Sequence, residues 1–444
     1  MRSISDVPGP RPFPLLGNLA AIVDGPLEFM NKLSREHGDL SRFRVGSKEA
    51  LVVTGPELIE QVLVTHRKHT VKDPVTAGLS EVLGQGLLTA EGERWKQNRR
   101  LIAPSFQPRH LAQLGETMLT TTRGQASGWD SGVHAVHEDM MELTLDIAVR
   151  TLFGTELEGG ERVGQLVEEL MIGFDKKTHS WRRLIPDWVP TPNRRMAQRN
   201  QRELHAILQT LVEKKRAAPD PEAGDLLSRL LAARDDEGRG MDDEQLRDEM
   251  LTLFLAGHET TALALSYALM FLAEHPEAQE RARAEVPEAL GAQHARSLRF
   301  IDAVFNEAMR LYPPAWVVGR AASQDFVLGD VQVPAGTVLL LPQWVVHRDA
   351  RWFPEPEAFR PERWLDEPDH PKFAFFPFGG GQRVCVGNHF ARMEAVLVLA
   401  ELLDRFELHP VAGFELEVYP SVTLRPKDGV HVELRRRDGR RRAA

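Results

Sequence analysis

The chain has 444 residues, more than one average domain but a common length for a large single-domain enzyme. Its apolar content of 42% and charged content of 27% are those of a globular protein, and its net charge of −9 argues against nucleic acid as a main partner. It has one cysteine, no apolar run of about 18 residues and no apolar signal core, so we expect a cytoplasmic protein without disulfides or a membrane span.

The first predicted elements are a leader, a helix and a strand pair. Residues 1–20 form a proline-rich leader that cannot be helical over 8–17, because proline lacks the N–H donor. We expect this leader to lie across the body of the protein. Apolar spacing predicts a helix over 27–37, and alternation predicts strands over 40–45 and 50–54. The glycine-punctuated apolar segment 78–89 is predicted to be a loop.

A short helix is predicted after this loop. It places Trp95 and Arg99 on one face, because residues four apart on a helix are neighbours. Taken alone, this pair indicates only a solvated basic surface. Residues 110–240 are predicted to be helical, with breaks at Gly132, Gly154 and the proline cluster 186–192.

A long helix is predicted over 242–275, with Asp242 and Gln245 as a capping box and a proline directly after it. Its middle reads Leu-Ala-Gly-His-Glu-Thr-Thr at 255–261, where polar side chains interrupt an apolar stretch. Gly257 costs about 1 kcal/mol relative to alanine, and a threonine here can bond a backbone carbonyl and bend the helix. Because such a break in a core helix is unfavourable, it indicates a functional site.

Further along, Glu307 and Arg310 lie three residues apart on a predicted helix and can form an ion pair. This spacing alone usually means a surface pair. The segment 331–341 is predicted to be a β-hairpin, and the segment 359–364 adds a further cation, Arg363. The arginine-rich end, 435–444, is predicted to be a solvated, disordered tail.

The last motif surrounds the single cysteine. In Phe-Gly-Gly-Gly-Gln-Arg-Val-Cys-Val-Gly, residues 378–387, Cys385 comes just before a helix predicted over 388–406. The helix dipole and Arg383 are expected to lower the pKa of the thiol, and the glycines leave room for a flat, bulky group.

Several chemistries fit such a thiol. A catalytic nucleophile needs a general base, for which only His389 is near in the sequence, and a redox thiol needs a second cysteine. A metal ligand needs only this thiolate if a porphyrin supplies the other ligands. An inert buried cysteine beside a glycine turn is the remaining alternative.

The pattern Phe378-x-x-Gly381-x-Arg383-x-Cys385-x-Gly387 resembles the haem-binding loop of the cytochrome P-450 superfamily. The proline-rich leader, the Trp-x-x-x-Arg pair, the Ala-Gly-x-Glu-Thr-Thr helix, the Glu-x-x-Arg pair and the segment 359–364 also occur in the order of that family. The resemblance covers nearly the whole chain. It implies a single domain, 1–444, mainly α with a small β region, in which haem lies between a long oxygen-binding helix and the helix after the cysteine loop.

The resemblance also implies roles for individual residues. Cys385 would be the axial ligand of the iron of haem b. Thr260 would hydrogen-bond the O2 co-substrate and its water, while Glu259 would relay protons. Glu307, Arg310 and Arg363 would form a buried structural network. The residues expected to bind the cofactor are Trp95, Arg99, Ala256, Gly257, Arg320, Phe378, Gly379, Arg383, Cys385 and Gly387.

The implied activity is that of a haem-thiolate monooxygenase, which inserts one atom of O2 into a C–H bond of a small lipophilic substrate such as a fatty acid, terpenoid, carotenoid or steroid. The motifs resemble those of fatty-acid and of terpenoid or carotenoid hydroxylases more than those of the small-terpene type. The strand region 40–54 lacks the arginine–tyrosine pair that holds a fatty-acid carboxylate in one bacterial branch, which argues against a fatty acid. The residues expected to line the cavity are Leu79, Leu83, Leu87, Leu255, Ala315, Trp316, Val317 and Val422.

The expected electron source is a separate ferredoxin or flavodoxin with its NAD(P)H reductase, because no flavin module follows residue 444 and one cysteine cannot hold an iron–sulfur cluster. Its docking face is expected to be basic, formed by Lys96, Arg100, Arg109 and Arg392. Two alternatives stay open. A peroxide-driven peroxygenase usually lacks the Glu-Thr pair, and a non-catalytic haem sensor needs no proton relay.

Overall fold

The structure, a computed structural model, describes residues 1–154, 160–178, 192–217, 224–367 and 369–437. Helices make up most of it, as predicted. In chain order they are α1 (Leu19–Asp24), α2 (Pro26–His37), α3 (Pro56–Glu60), α4 (Pro74–Gly78), α5 (Ser80–Leu83), α6 (Gly92–Ile102), α7 (Pro108–Ser127), α8 (Val136–Phe153), α9 (Gly160–Thr178), α10 (Pro192–Ala217), α11 (Leu226–Ala232), α12 (Asp243–Glu274), α13 (Pro276–Ala284), α14 (Arg299–Leu311), α15 (Gln343–Val346) and α16 (Asn388–Arg405).

The β region is small, which confirms the predicted fold class. Its strands are β1 (Arg2–Ser3), β2 (Leu40–Val45), β3 (Lys48–Val53), β4 (Thr70–Val71), β5 (Gly132–Ala135), β6 (Val318–Ala322), β7 (Phe326–Leu328), β8 (Val331–Val333), β9 (Val338–Leu341), β10 (Phe406–Pro410), β11 (Val418–Pro420), β12 (Leu424–Pro426) and β13 (His431–Arg436). Within the described residues the sheets have the orders β2-β3-β9-β6-β4, β1-β8-β7, β10-β13-β5 and β11-β12.

The sheet pairings confirm one strand prediction and contradict another. The pair predicted over 40–54 is present, with β2 antiparallel to β3. The hairpin predicted over 331–341 is wrong, because β8 pairs with β7 while β9 lies between β3 and β6. Both segments have strand composition, but β9 takes partners that are distant in the sequence.

The leader at the N-terminus lies against the body of the protein as expected, whereas part of the predicted C-terminal tail is ordered. The leader lies across β2, where the Pro8 carbonyl accepts the Arg42 N–H at 2.8 Å. The disordered tail predicted from residue 435 is wrong for Arg435 and Arg436, which pair with β10 as part of β13. Residues 438–444 lie outside the described residues. So does the proline cluster predicted as a helix break, except for Pro192, which begins α10.

Helix α12 is the long helix predicted over 242–275, and it is buried along nearly its whole length. Asp242 caps it, since its carboxylate accepts the Gln245 N–H at 2.7 Å. The Gln245 side chain does not complete the predicted capping box, because it donates to the Asn98 side-chain carbonyl at 2.6 Å. α12 packs against α8, α14 and α16, which puts it at the centre of the helical layer. No helix in the described ranges has the length and apolar composition that a membrane crossing requires.

Two apolar clusters meet along α12. One joins its C-terminal half to α7, α8, α14 and α16. The other joins its N-terminal half to α6, α8, α9, α10, α11 and the segment 79–90. This division brings the N-terminal half of α12 against the segment 78–89. The loop predicted there is wrong for its first part, because Ser80–Leu83 form α5.

The contacts predicted between Glu307, Arg310 and Arg363 are present. Glu307 and Arg310 are fully buried with a nitrogen–oxygen distance of 2.8 Å, and Arg363 Nε donates to Glu307 at 3.0 Å. Arg310 also donates to the His347 carbonyl at 3.0 Å, and the Trp364 indole donates to Glu307 at 2.8 Å. This network ties α14 to the chain segment that leads into the cysteine loop.

Replacement of Glu307 by alanine is expected to lower the free energy of unfolding by about 3–5 kcal/mol, because the buried Arg310 charge loses its partner. Glu28→Ala is the matched control, since Glu28 pairs with Arg35 while their side chains are 71% and 70% exposed. Its loss is expected to cost no more than about 1 kcal/mol. Urea unfolding measures both variants, and equal losses would contradict a structural role for the network.

Candidate functional site

Cys385 lies in a tight turn directly before α16, as predicted. Its N–H donates to the Phe378 carbonyl at 2.9 Å, which closes the loop. Gly379 and Gly381 have φ values of 72° and 64°, a region that strongly favours glycine. A Cβ atom on Gly381 would overlap the Leu63 carbonyl, so this turn also requires glycine for close approach.

The electrostatics of the thiol differ from the prediction. Cys385 has exposed surface, yet protein surrounds it, because that surface faces the interior of the molecule. Burial raises the pKa of the thiol, and the Gly387 N–H and the Arg99 guanidinium oppose this shift without reversing it. The predicted lowering of the pKa by Arg383 is therefore wrong. A metal ion deprotonates a thiol that coordinates it, so a ligand role does not depend on a low pKa.

Arg383 makes other contacts. Its guanidinium forms an ion pair with Glu91 and donates to the Ala90 carbonyl at 2.9 Å. It also lies over the buried Trp95 ring, 4.1 Å from the ring centroid, in a cation–π contact. Arg99, one turn further along α6, donates to the Val384 carbonyl at 3.0 Å. The spacing of Trp95 and Arg99 thus brings both side chains to the cysteine loop.

Two further cations lie near Arg383. Burial and the Arg383 charge lower the pKa of Lys72 to about 7, and burial lowers the pKa of Arg320. Lys72 Nζ donates to the Leu87 carbonyl at 3.4 Å, and Arg320 donates to its neighbouring Gly319 carbonyl at 2.7 Å. Lys72 was not predicted from the sequence, because only its burial and its distant neighbours distinguish it from a surface lysine.

This cluster fits one part of a haem group. The cations Lys72, Arg99, Arg320 and Arg383 outnumber the nearby acids Glu91 and Asp73, whose charges act on Lys72. Partly desolvated cations in excess favour additional carboxylates, and the two haem propionates are of that kind. Four residues that were expected to bind the cofactor, Trp95, Arg99, Arg320 and Arg383, thus lie near the cysteine loop, and Lys72 lies with them.

The middle of α12 fits the flat ring of the haem group. Ala256, Gly257 and Thr260 interrupt the burial of the helix and share one face of it. Nothing lies within 4 Å of a Cβ atom built on Gly257, so this face is open. The Thr260 hydroxyl donates to the Ala256 carbonyl at 2.7 Å, the bond within the helix that the sequence predicted.

The Glu259 side chain is bonded to the segment 423–425 and does not lie on the open face. Its buried carboxylate accepts hydrogen bonds from Thr423 and from Arg425, both at 2.6 Å. Burial works to raise the pKa of Glu259, but Arg425 and the Thr423 hydroxyl outweigh it and hold the pKa below its ordinary value. The neighbouring His258 is stacked on Phe254, and burial lowers its pKa to about 4. Arg425 was not predicted, because it lies far from Glu259 in the sequence.

The predicted cavity residues fall into two groups. Leu79, Leu83, Leu87 and Leu255 share one apolar cluster, and Val422 packs against it. A second cluster contains Trp316, with Val317 against it, while Ala315 is half-buried. The two groups are connected, because the Trp316 indole donates to the Ser421 carbonyl at 2.8 Å.

Comparisons with known proteins agree with this site. The family model described as cytochrome P-450 matches residues 7–431. The chain is 33% identical to cyclooctatin synthase of Streptomyces melanosporofaciens, over 94% of this chain and 92% of that protein. It is 33% identical to cyclooctat-9-en-7-ol 5-monooxygenase of the same organism, over 92% of this chain and 90% of that protein.

A third relative is pentalenene oxygenase of Streptomyces avermitilis, 32% identical over 94% of this chain and 92% of that protein. These relatives are matched over nearly their whole length, and so is the family model. The chain therefore belongs to the cytochrome P-450 family and is a haem-thiolate monooxygenase of lipophilic substrates, with haem b as cofactor and O2 as co-substrate.

Proposed function

We propose that this enzyme hydroxylates a terpenoid-class hydrocarbon skeleton above the open face of α12. The observation that carries this proposal is the position of that face. Ala256 and Gly257 directly follow Leu255, which belongs to the apolar cluster formed with Leu79, Leu83 and Leu87. A lipophilic molecule held by this cluster lies next to the one open stretch in the middle of the helix.

The names of the relatives support the terpenoid class over the others. Two of them are named for cyclooctat-9-en-7-ol and pentalenene, which are cyclic terpenoids. The side chains of Leu79, Leu83, Leu87 and Leu255 are apolar and pack in one cluster, which suits a lipophilic substrate. We also propose a cytoplasmic location, which the single cysteine supports.

The cofactor supplies the redox chemistry, since haem with an axial thiolate activates O2. The chain supplies binding and protons. We assign Cys385 as the axial ligand and Arg99, Arg320, Arg383 and Lys72 as partners of the propionates. Trp95 supports Arg383 through its ring.

We assign Thr260 and Glu259 to proton delivery. The Thr260 hydroxyl has its proton directed at the Ala256 carbonyl, and it lies on the open face. Glu259 is adjacent in the sequence and is held ionised by Arg425, whose side chain is 28% exposed. Arg425 lines a surface cleft with His137, so it connects the buried carboxylate to solvent.

We propose a ferredoxin or flavodoxin as electron donor, docking on the cations predicted above. Arg109 contacts His110, whereas three of these cations have acidic neighbours that reduce their free charge. Lys96 pairs with Glu93 at 2.6 Å, Arg100 pairs with Asp236 at 3.0 Å, and Arg392 pairs with Asp302. Docking of an acidic protein would compete with these pairs, which favours a salt-sensitive encounter.

The carbon monoxide difference spectrum of the reduced protein tests the ligand assignment. We expect a strongly red-shifted Soret band, because a thiolate lies opposite the gas. In Cys385→His the band is expected at the position of histidine-ligated haem, while the haem content stays measurable. A wild-type band at the histidine position would exclude Cys385 as the ligand.

Arg425→Leu tests the link to Glu259. Removal of the guanidinium leaves burial as the dominant influence, so the pKa of Glu259 is expected to rise. Infrared titration measures the new carboxyl band, which should vanish in the double variant with Glu259→Gln. Lys427→Leu is the matched control, since Lys427 lines the same cleft but pairs with Glu417. A Glu259 pKa unaffected by Arg425→Leu would contradict the link.

Charge reversal tests the docking face. Lys96→Glu and Arg392→Glu are each expected to slow reduction by an acidic ferredoxin about tenfold at low salt and to flatten its salt dependence. Lys32→Glu serves as the control, because Lys32 is an exposed lysine on α2 with its own acidic neighbour, Glu36. Stopped-flow reduction measures the rates. Unchanged rates and salt dependence in the first two variants would exclude this face.

A further inference from the structure

The segment 84–90, here called the cavity loop, is tied to α12 by two carboxylates that the proposed function does not use. Asp248 accepts the Gln85 N–H at 2.7 Å, and Glu249 accepts the Leu87 N–H at 2.9 Å. Both carboxylate side chains are buried. The backbone N–H groups of two loop residues, Gln85 and Leu87, are therefore hydrogen-bonded to two consecutive residues of the helix.

The same peptide is also held from α6. Asn98 donates to the Gln85 carbonyl at 3.1 Å, and Gln245 of α12 holds Asn98 in place at 2.6 Å. Within the loop, the Thr89 hydroxyl donates to the Gly84 carbonyl at 2.7 Å. The loop backbone is thus bonded on both sides and closed on itself.

Two glycines of the loop are required by this contact. Gly84 has a φ of 65°, and a Cβ atom there would overlap the Asp248 carboxylate. A Cβ atom on Gly86 would overlap the Thr252 hydroxyl of α12. The loop backbone therefore lies directly on the helix, and the glycines serve close approach rather than flexibility.

The loop carries part of the predicted cavity wall. Leu87 belongs to it and Leu83 immediately precedes it, and both pack in the cluster that contains Leu255. Because Leu255 adjoins the open face of α12, a shift of the loop changes the space beside that face.

We propose that Asp248 and Glu249 are positioning residues that latch the cavity loop onto α12, and that this latch sets the size of the substrate cavity and the rate at which bulky ligands leave it. The proposal rests on the proposed function, because the cavity belongs to that site. The Asp248 carboxylate lies beside Arg94 and Arg247, whose nitrogens are 3.9 and 3.6 Å away. Burial raises the pKa of Asp248, and the Gln85 N–H and the two arginine charges oppose this shift.

Glu249 needs only an oxygen acceptor. Burial raises its pKa to about 8, so the side chain is mostly neutral at pH 7. Glutamine at this position keeps a carbonyl oxygen for the Leu87 N–H, whereas leucine removes the acceptor at similar volume. A comparison of the glutamine and leucine variants therefore separates the loss of this hydrogen bond from a general effect of replacing Glu249.

Hydrogen exchange of the peptide covering 84–90 tests the latch directly. In Glu249→Leu the exchange is expected to be at least about tenfold faster, since the amides lose an acceptor and the loop opens more often. Glu249→Gln should remain within about twofold of the wild type, as should Glu244→Leu, an exposed carboxylate on the same helix. Gly86→Ala should reproduce the faster exchange while leaving both carboxylates in place. Exchange at the wild-type rate in Glu249→Leu and Gly86→Ala would overturn the proposal.

Ligand dissociation tests the consequence for the cavity. The haem absorption of the holoenzyme reports the binding of clotrimazole, a bulky imidazole, and of unsubstituted imidazole. Clotrimazole is expected to dissociate about tenfold faster from Glu249→Leu and Gly86→Ala, while imidazole dissociation stays unchanged. If clotrimazole dissociated at the same rate from all variants, the latch would not control the release of bulky ligands, even if hydrogen exchange of the loop had become faster. A wild type that binds neither azole would count against the proposed function, and hydrogen exchange would still decide the latch.

Discussion

The burial of α12 is the constraint on which the site depends. An unpaired buried polar group costs about 1–3 kcal/mol, so a helix enclosed on nearly all sides needs a partner for each polar side chain. Distant segments supply partners for several of these side chains, although Thr252 Oγ1 and His258 Nδ1 have no hydrogen-bond partner among the described residues. Asp248 and Glu249 bind the cavity loop, Glu259 binds the segment before and within β12, and the Tyr267 hydroxyl donates to the Leu424 carbonyl at 2.7 Å. The polar residues of α12 thus fix the loops around its open face.

The open face of α12 differs from the rest of the helix, because its polar side chains bond within the helix and not to other segments. The hydroxyls of Thr260 and Thr261 donate to the carbonyls of Ala256 and Gly257, so this part of α12 satisfies its polar groups internally. It requires no covering segment, and the small side chains leave its surface accessible. A substitution that places a larger residue at Gly257 would fill this space without breaking any tertiary contact.

Local pattern was sufficient for features that depend on neighbours in the sequence. The apolar spacing gave α12 and α16 nearly to the residue, and the turn at Cys385 followed from its glycines. The contact between Glu307 and the distant Arg363 was expected only from the family resemblance, and other features that depend on distant neighbours were missed or wrong. Lys72 is unusual because it is buried and lies beside Arg383, and β9 pairs with β3 across the chain. The pKa of the thiol depends on how much protein encloses it, which spacing along the chain does not report.

The cavity loop also connects α12 to the cation cluster. Its Leu87 carbonyl accepts from Lys72, and its Ala90 carbonyl accepts from Arg383, while Glu91 at its end pairs with Arg383. Lys72 has three N–H donors and Arg383 has five, so the same side chains can hold a loop carbonyl and a bound carboxylate together. The order of the loop and the binding of carboxylates at the cluster are therefore coupled, and coupling free energies are reciprocal. A ligand that holds the loop against α12 must accordingly change the affinity of the cluster for its anionic partners.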